Sequence, residues 1–158
     1  MVKKLSSFDQ EPQAETIFSY FNEISIISHL GAAMFEKALP FGLTNAQFSV
    51  LNWFIRVDSE ASPGRLATAF QVTAGAMTNT LQKLAAKQLI KVEPDPHSGR
   101  KKIVTITEKG RQQLEQAISS AMPLFAELSQ QFDTAKIDNQ LPLLREIREM
   151  LDEMRYKK

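Results

Sequence analysis

Apolar residues recur at helical spacing along most of the chain, and the breaks between runs coincide with capping and turn residues. From Ala14 to about Ala38, Ile17, Phe21, Ile24, Ile27, Met34 and Phe35 keep a helical period. Phe18, Ile26 and Leu30 widen that stripe beyond one face, so the helix needs more than one packing surface, which a partner subunit would supply. Met1 to about Gln13 is polar and reads as a frayed end. Pro40-Phe41-Gly42 breaks the pattern, and Thr44 with Gln47 forms a capping box for the next helix, stapled by Leu43 and Phe48. That helix runs to about Val57 with Val50, Leu51, Phe54 and Ile55 as its apolar positions, and Asp58 to Ala61 reads as a loop. Ser62-Pro63 is an N-cap with proline at the first helical position, opening a short helix through Phe70.

The next stretch, Val72 to Thr107, organises the rest. Thr73 is an N-cap, with Val72 and Met77 placed as a second staple. Met77, Leu81 and Leu84 turn one face of this helix inward. The other face carries Gly75, Thr78, Asn79, Gln82, Lys83 and Ala86, with no acid among them. Two short helices so tightly joined form a helix-turn-helix. Extended runs follow at Leu89–Glu93 and Ile103–Thr107, joined by the turn-rich loop Pro94 to Lys102, which ends in Arg100-Lys101-Lys102. After Thr107, a further cap, a long helical pattern reaches about Phe132 with Pro123 expected to kink it. Asp138 is read as the cap of a last helix with Pro142 near its first turn. Leu141, Leu144, Ile147, Leu151 and Met154 form its seam.

Charge sharpens this picture. The formal net charge is only +1 over 158 residues. Residues 62–111, however, hold nine Lys or Arg against three Asp or Glu, a local +6, while the remainder carries −5. The alternative is a chance clustering on a solvated face. A polyanion responds to the local field, and a cation-bearing helix face beside a basic hairpin suits a duplex, one part in the major groove and the other on adjacent phosphates. The candidate DNA-contacting residues are Thr73, Gly75, Thr78, Asn79, Gln82, Lys83, Lys87, His97, Ser98, Arg100, Lys101 and Lys102. Arg100 is expected at the tip beside Gly99, reaching the minor groove, with Lys101 or Lys102 on the backbone.

There is no cysteine, which removes thiol chemistry, disulfides and cysteine-bound zinc. The two histidines, His29 and His97, sit in no metal-ligand spacing. No phosphate-binding glycine loop or nucleophile elbow occurs, so neither catalysis, cofactor nor metal is expected. His29 reads either as a core histidine or as part of an effector pocket, and Trp53 as core or pocket wall. The chain has no apolar leader or bilayer-length run, and a soluble, cytoplasmic protein is expected. A winged-helix module that binds protein instead of DNA would need a neutral or acidic reading face, the opposite of this one.

The order of elements and their wording resemble the MarR (multiple antibiotic resistance regulator) family of winged-helix transcription factors. The resemblance is carried by residues 43–51, Leu66-Ala67, Thr73 to Leu84, Leu89-Ile90 and, most specifically, Asp95 to Gly110. It implies a mainly α fold with a small β-hairpin wing, a winged helix-turn-helix with N- and C-terminal dimerisation helices. Residues 1–38 and 109–158 would form the dimer and residues 39–108 the DNA-binding domain. It further implies a repressor that binds a pseudo-palindromic operator as a homodimer, released by a small aromatic or apolar effector. Three positions depart from the family pattern. Ser98 replaces the aspartate that holds the wing arginine, leaving Asp95 as the nearest acid that could take over. Asn79 stands where arginine is common, and Gln88 where a helix-ending glycine is common, so that cap must be strained or differently made.

Overall fold

The computed structural model describes residues 12–155. Along the chain come α1 (Pro12–Ala38), α2 (Asn45–Arg56), β1 (Glu60–Ala61), α3 (Pro63–Phe70), α4 (Ala74–Ala86), β2 (Ile90–Asp95), β3 (Ser98–Ile106), α5 (Glu108–Gln131) and α6 (Thr134–Met154). They divide into two compact units that part within α5, one up to Ser120 and the other from Ala121. The frayed end expected over residues 1–13 lies outside the described residues up to position 11; Pro12 and Gln13 are already helical.

Local chemistry sets the helix starts. Thr44 Oγ1 accepts from Gln47 N at 3.2 Å while Gln47 Oε1 accepts from Thr44 N at 3.5 Å, completing the capping box. Leu43 is buried and Phe48 packs on the core, as a staple requires. Ser62 and Thr73 cap α3 and α4 through Arg65 N and Ala76 N. Val72, by contrast, stays exposed while Met77 is buried, so the second expected staple is not closed. α1 is tied to α2 by Asn45, whose Nδ2 donates to Ala32 O and whose backbone N–H donates to Glu36 Oε2, both at 2.7 Å. An acid at the positive end of α2 also complements its dipole.

The core of the first unit joins α2, α3, α4, the sheet and the start of α5. Leu51, Leu66, Leu84, Leu89, Val50 and Val104 are its most deeply buried large side chains. Truncating any of these leucines to alanine would cost about 2–5 kcal/mol. The sheet is antiparallel in the order β1-β3-β2. Glu60 and Ala61, expected in a loop, pair with Thr105 and Val104. β2 and β3 also run further than expected, into the stretch read as loop; Pro94 is tolerated because β2 is an edge strand.

The α5–β2 junction requires glycine. A Cβ on Gly110 would lie 2.1 Å from Leu89 O and 2.8 Å from Ile106 Cγ1. In the second unit, α6 is capped by Asp133, whose side chain accepts from Ala135 N at 3.1 Å. The helix thus begins before Asp138, the expected cap, and Pro142 lies in its interior.

Candidate nucleic-acid interface

α4 turns Met77, Leu81 and Leu84 into the core and leaves Gly75, Thr78, Asn79, Gln82 and Lys83 exposed. Among the described residues, no side-chain hydrogen bond engages Thr78, Asn79, Gln82 or Lys83, so their donors and acceptors are open to an external partner. No acid occurs between Thr73 and Gln88. Thr73 serves as the cap, and its hydroxyl is used on Ala76 N.

A glutamine in the left-handed region follows each helix of the pair, Gln71 (φ +52°) after α3 and Gln88 (φ +62°) after α4. At Gln88 the closing bonds form without the family's glycine: Leu89 N donates to Leu84 O at 3.0 Å and Gln88 N to Ala85 O at 2.8 Å. This is the Schellman pattern with a non-glycine residue in its αL position. The cap is therefore made, and made with strain. Thr107 Oγ1 donates to Gln88 O at 2.8 Å, and Lys109 Nζ donates to Lys87 O at 2.9 Å.

Lys87 departs from its expected role. Its ammonium turns back onto the α1–α2 turn, donating to Phe41 O, Gly42 O and Gln47 Oε1 at 3.2, 2.8 and 3.1 Å. An ammonium has three donors, and all three are occupied. It lies outside the set that faces outward with Asn79 and Gln82.

The wing also differs in detail. Its tip is Pro96-His97, not Arg100, and Asp95 Oδ1 accepts from His97 N at 2.8 Å to make that turn. Pro94 pairs with Lys102 but Asp95 pairs with Ser98, which leaves Gly99, Arg100 and Lys101 without partners across the strand. A bulge re-aims side chains out of the sheet. Arg100 sits at its middle, exposed, and no ion pair is found at it among the described residues. Asp95 thus serves the turn and does not replace the family's wing-holding aspartate. Lys102 and Val92 line a hollow of about 280 Å³ with Thr78, Gln82 and Ala85, which brings the wing alongside α4.

Several cations counted in the basic segment are used internally. Arg65 Nη1 lies 2.6 Å from Asp58 Oδ2, and its guanidinium stands 5.2 Å from the centre of the Trp53 ring. That hydrogen bond, with a weaker one from Glu60 N–H, holds the Asp58 carboxyl below the ordinary carboxylate range. Trp53 is therefore half-buried, packed on the core and covered by Arg65. His29 is exposed, with Nδ1 2.7 Å from Ser25 O, so it is not a core histidine. Neither residue borders the hollow of about 280 Å³ between α2 and α5, which Ile55, Leu114 and Ile118 line with Arg56, Arg111 and Glu115. This gathering of apolar residues from α2 and α5 beside two arginines and a glutamate is a signal that no local sequence spacing carries.

A helix-turn-helix of α3 and α4 whose second helix carries an unengaged polar face, followed by a hairpin wing whose inner strand also pairs with β1, defines a winged helix-turn-helix protein. The MarR family model matches residues 41–101. The chain is 30% identical over 117 residues to the HTH-type transcriptional repressor NicR of Pseudomonas putida, spanning 74% of this chain and 72% of that one. Its structure resembles the transcriptional regulator BldR from Sulfolobus solfataricus (TM-score 0.76, 27% identity, 90% of this chain and 99% of that one). It also resembles a mutant MarR from E. coli complexed with operator DNA (TM-score 0.71, 25% identity, 84% and 95%). This chain belongs to the MarR family. No described helix is long and apolar enough to cross a membrane.

Proposed function

We propose that this chain is a transcriptional repressor that binds a pseudo-palindromic operator as a homodimer and is released by a small apolar or aromatic effector. The observation that carries the reading is the acid-free face of α4, with Asn79 and Gln82 unengaged, set beside a wing whose bulge presents Arg100. Asn and Gln suit the adenine edge in the major groove, and an arginine suits a narrow minor groove. The repressor NicR and the operator-bound MarR structure support the same use of this fold.

Dimerisation rests on helices that carry exposed apolar residues. Neither α1 nor α6 has a buried residue. On α1, Phe18, Ile27 and Leu30 are 70%, 65% and 63% exposed. On α6, Leu143, Met150, Leu151 and Met154 are exposed. Apolar surface on this scale belongs to an interface, and obligate homodimers bury about 2,000 Å² or more. Residues 1–38 and 109–158 are accordingly assigned to the dimer and 39–108 to DNA. Deletion of α6 is expected to give unfolded or aggregated protein, and a well-folded monomer by light scattering would refute the assignment. For the effector we assign the α2–α5 hollow, whose mainly apolar lining, rimmed by Arg56, Arg111 and Glu115, fits a small aromatic or apolar molecule.

Selecting bound duplexes from a random pool tests the whole reading. Two inverted half-sites about 34–36 Å apart are expected for a symmetric dimer. On that duplex Asn79→Ala or Gln82→Ala should cost about 1–3 kcal/mol, and much less on random DNA. Equal losses on both would reassign these residues to phosphate contacts.

A further inference from the structure

The triply bonded Lys87 ammonium carries a consequence for the proposed reading helix. We propose that Lys87 is a positioning residue: it fixes the C-terminal end of α4 to the α1–α2 turn and so sets the angle at which α4 meets a duplex. This rests on the DNA-binding function proposed above.

Three observations converge on it. The acceptors come from a turn with two consecutive left-handed residues, Phe41 (φ +61°) and Gly42 (φ +60°), and both of their carbonyls point at Lys87 Nζ. Phe41 holds that conformation with a side chain, a strain that persists only where surrounding contacts over-determine it. The third acceptor, Gln47, is the one buried polar residue among the described core residues, and the same Oε1 closes the α2 capping box. From the opposite side, Lys109 of α5 donates to the Lys87 carbonyl. The end of α4 is thus held through the side chain of Lys87 towards α1–α2 and through its backbone towards α5. Asn45 continues the first tie into α1 at Ala32 and Glu36. Base-edge contacts depend on helix orientation, whereas contacts to phosphates tolerate more displacement.

The test uses the full chain and two probes: the duplex it selects from a random pool, and a random-sequence duplex. Lys87→Met keeps the stem and removes the ammonium. It should weaken binding to the selected duplex about tenfold, change random-duplex binding less than about twofold, and leave the salt dependence intact. A loss of similar size on both duplexes, with the slope shallower by about one, makes Lys87 a phosphate contact and overturns the proposal. Unchanged binding on both also overturns it.

A melting cycle reads the tie without DNA. Gln47→Glu preserves the capping box. With Lys87 present the new carboxylate gains a cation and the melting temperature should hold. In the Lys87→Met background the buried carboxylate is unpaired, and the midpoint should fall by about 5 °C or more. Equal shifts in both backgrounds refute the tie. If Lys87→Met does not fold, Gln47→Met, which removes one acceptor of three together with the capping-box bond from Thr44 N, should show a smaller selective loss at unchanged salt slope; an unselective loss overturns the proposal. A wild-type chain that binds no duplex in a salt-dependent way defeats the functional reading, while the melting cycle still decides the tie.

Discussion

Replacing Gly110 by alanine adds one methyl group where α5 leaves the sheet. That Cβ would stand 2.1 Å from the Leu89 carbonyl oxygen, against an ordinary C···O contact of about 3.3 Å. The gap of roughly 1.2 Å cannot be relieved by a rotamer change, because the obstructing atom is backbone. The same carbonyl accepts from Thr107 N at 3.0 Å, and Thr107 Oγ1 accepts from Gly110 N at 3.0 Å while donating to Gln88 O. Moving either partner therefore disturbs the α5 cap and the end of α4 together. Overpacking costs about 1–3 kcal/mol and loss of a cap about 1 more, so a destabilisation of about 2–4 kcal/mol is expected. Urea unfolding at matched protein concentration reads it directly, since a dimer's midpoint depends on concentration. With a slope near 2 kcal/mol/M the midpoint should fall by about 1–2 M. Gly64→Ala, in α3 with open space around its Cβ, is the internal control and should be neutral or stabilising by up to about 1 kcal/mol. A Gly110→Ala midpoint within about 0.3 M of wild type would refute the packing account.

Gln88→Gly should raise stability by about 1 kcal/mol, because it relieves a left-handed side-chain residue and gives up only an exposed bond from Lys109; a lower melting temperature would contradict this. Asp95→Asn keeps the Oδ1 acceptor of the wing turn but removes a negative charge, so duplex binding should tighten by roughly two- to threefold at low salt, and weakened binding would mean that Asp95 orders the wing after all. Asp58, whose folded-state carboxyl titrates lower than in the unfolded chain, contributes stability that is present above the ordinary carboxylate range and lost as pH falls through its lowered value. Asp58→Asn should therefore flatten the acid limb of a stability–pH curve, and an unchanged limb would show that the Arg65 bond does not count.

The features legible in the sequence are those whose causes are local. The caps at Thr44, Ser62, Thr73 and Thr107 and the three inward residues of α4 depend on neighbours within four positions, and each stands where the spacing places it. β1 was not legible, because two residues become a strand only by meeting Thr105 and Val104, far along the chain. The wing strands read short because Pro94 and three successive cations argue against a ladder; an edge position and a bulge accommodate both. Asp138 attracted the α6 cap because Pro142 was placed in a first turn, yet Asp133 already satisfies the starting N–H groups. The direction of Lys87 was not legible either. Its acceptors lie forty or more positions upstream, on a turn whose shape comes from backbone angles. For the polar face of α4 the sequence sufficed, since exposure there follows directly from which side of the helix is apolar.

The pairing of β1 with β3 gives the wing a mechanical character. Glu60 and Ala61 grip the central strand at Thr105 and Val104 while β2 grips the same residues from the other edge. The base of the hairpin is a fixed shoulder. Only the part beyond the Pro94–Lys102 pair is a free arm, three residues out to His97, or about 10 Å at strand rise. A tilt of about 20° about that pivot carries the tip roughly 3.5 Å, more than half the width of a minor groove of about 6 Å. In the proposed complex the fixed length runs from α4 to the Pro94–Lys102 pivot, a ruler built into the sheet, while Arg100, carried on the forearm beyond that pivot, supplies the reach that follows variation in groove width.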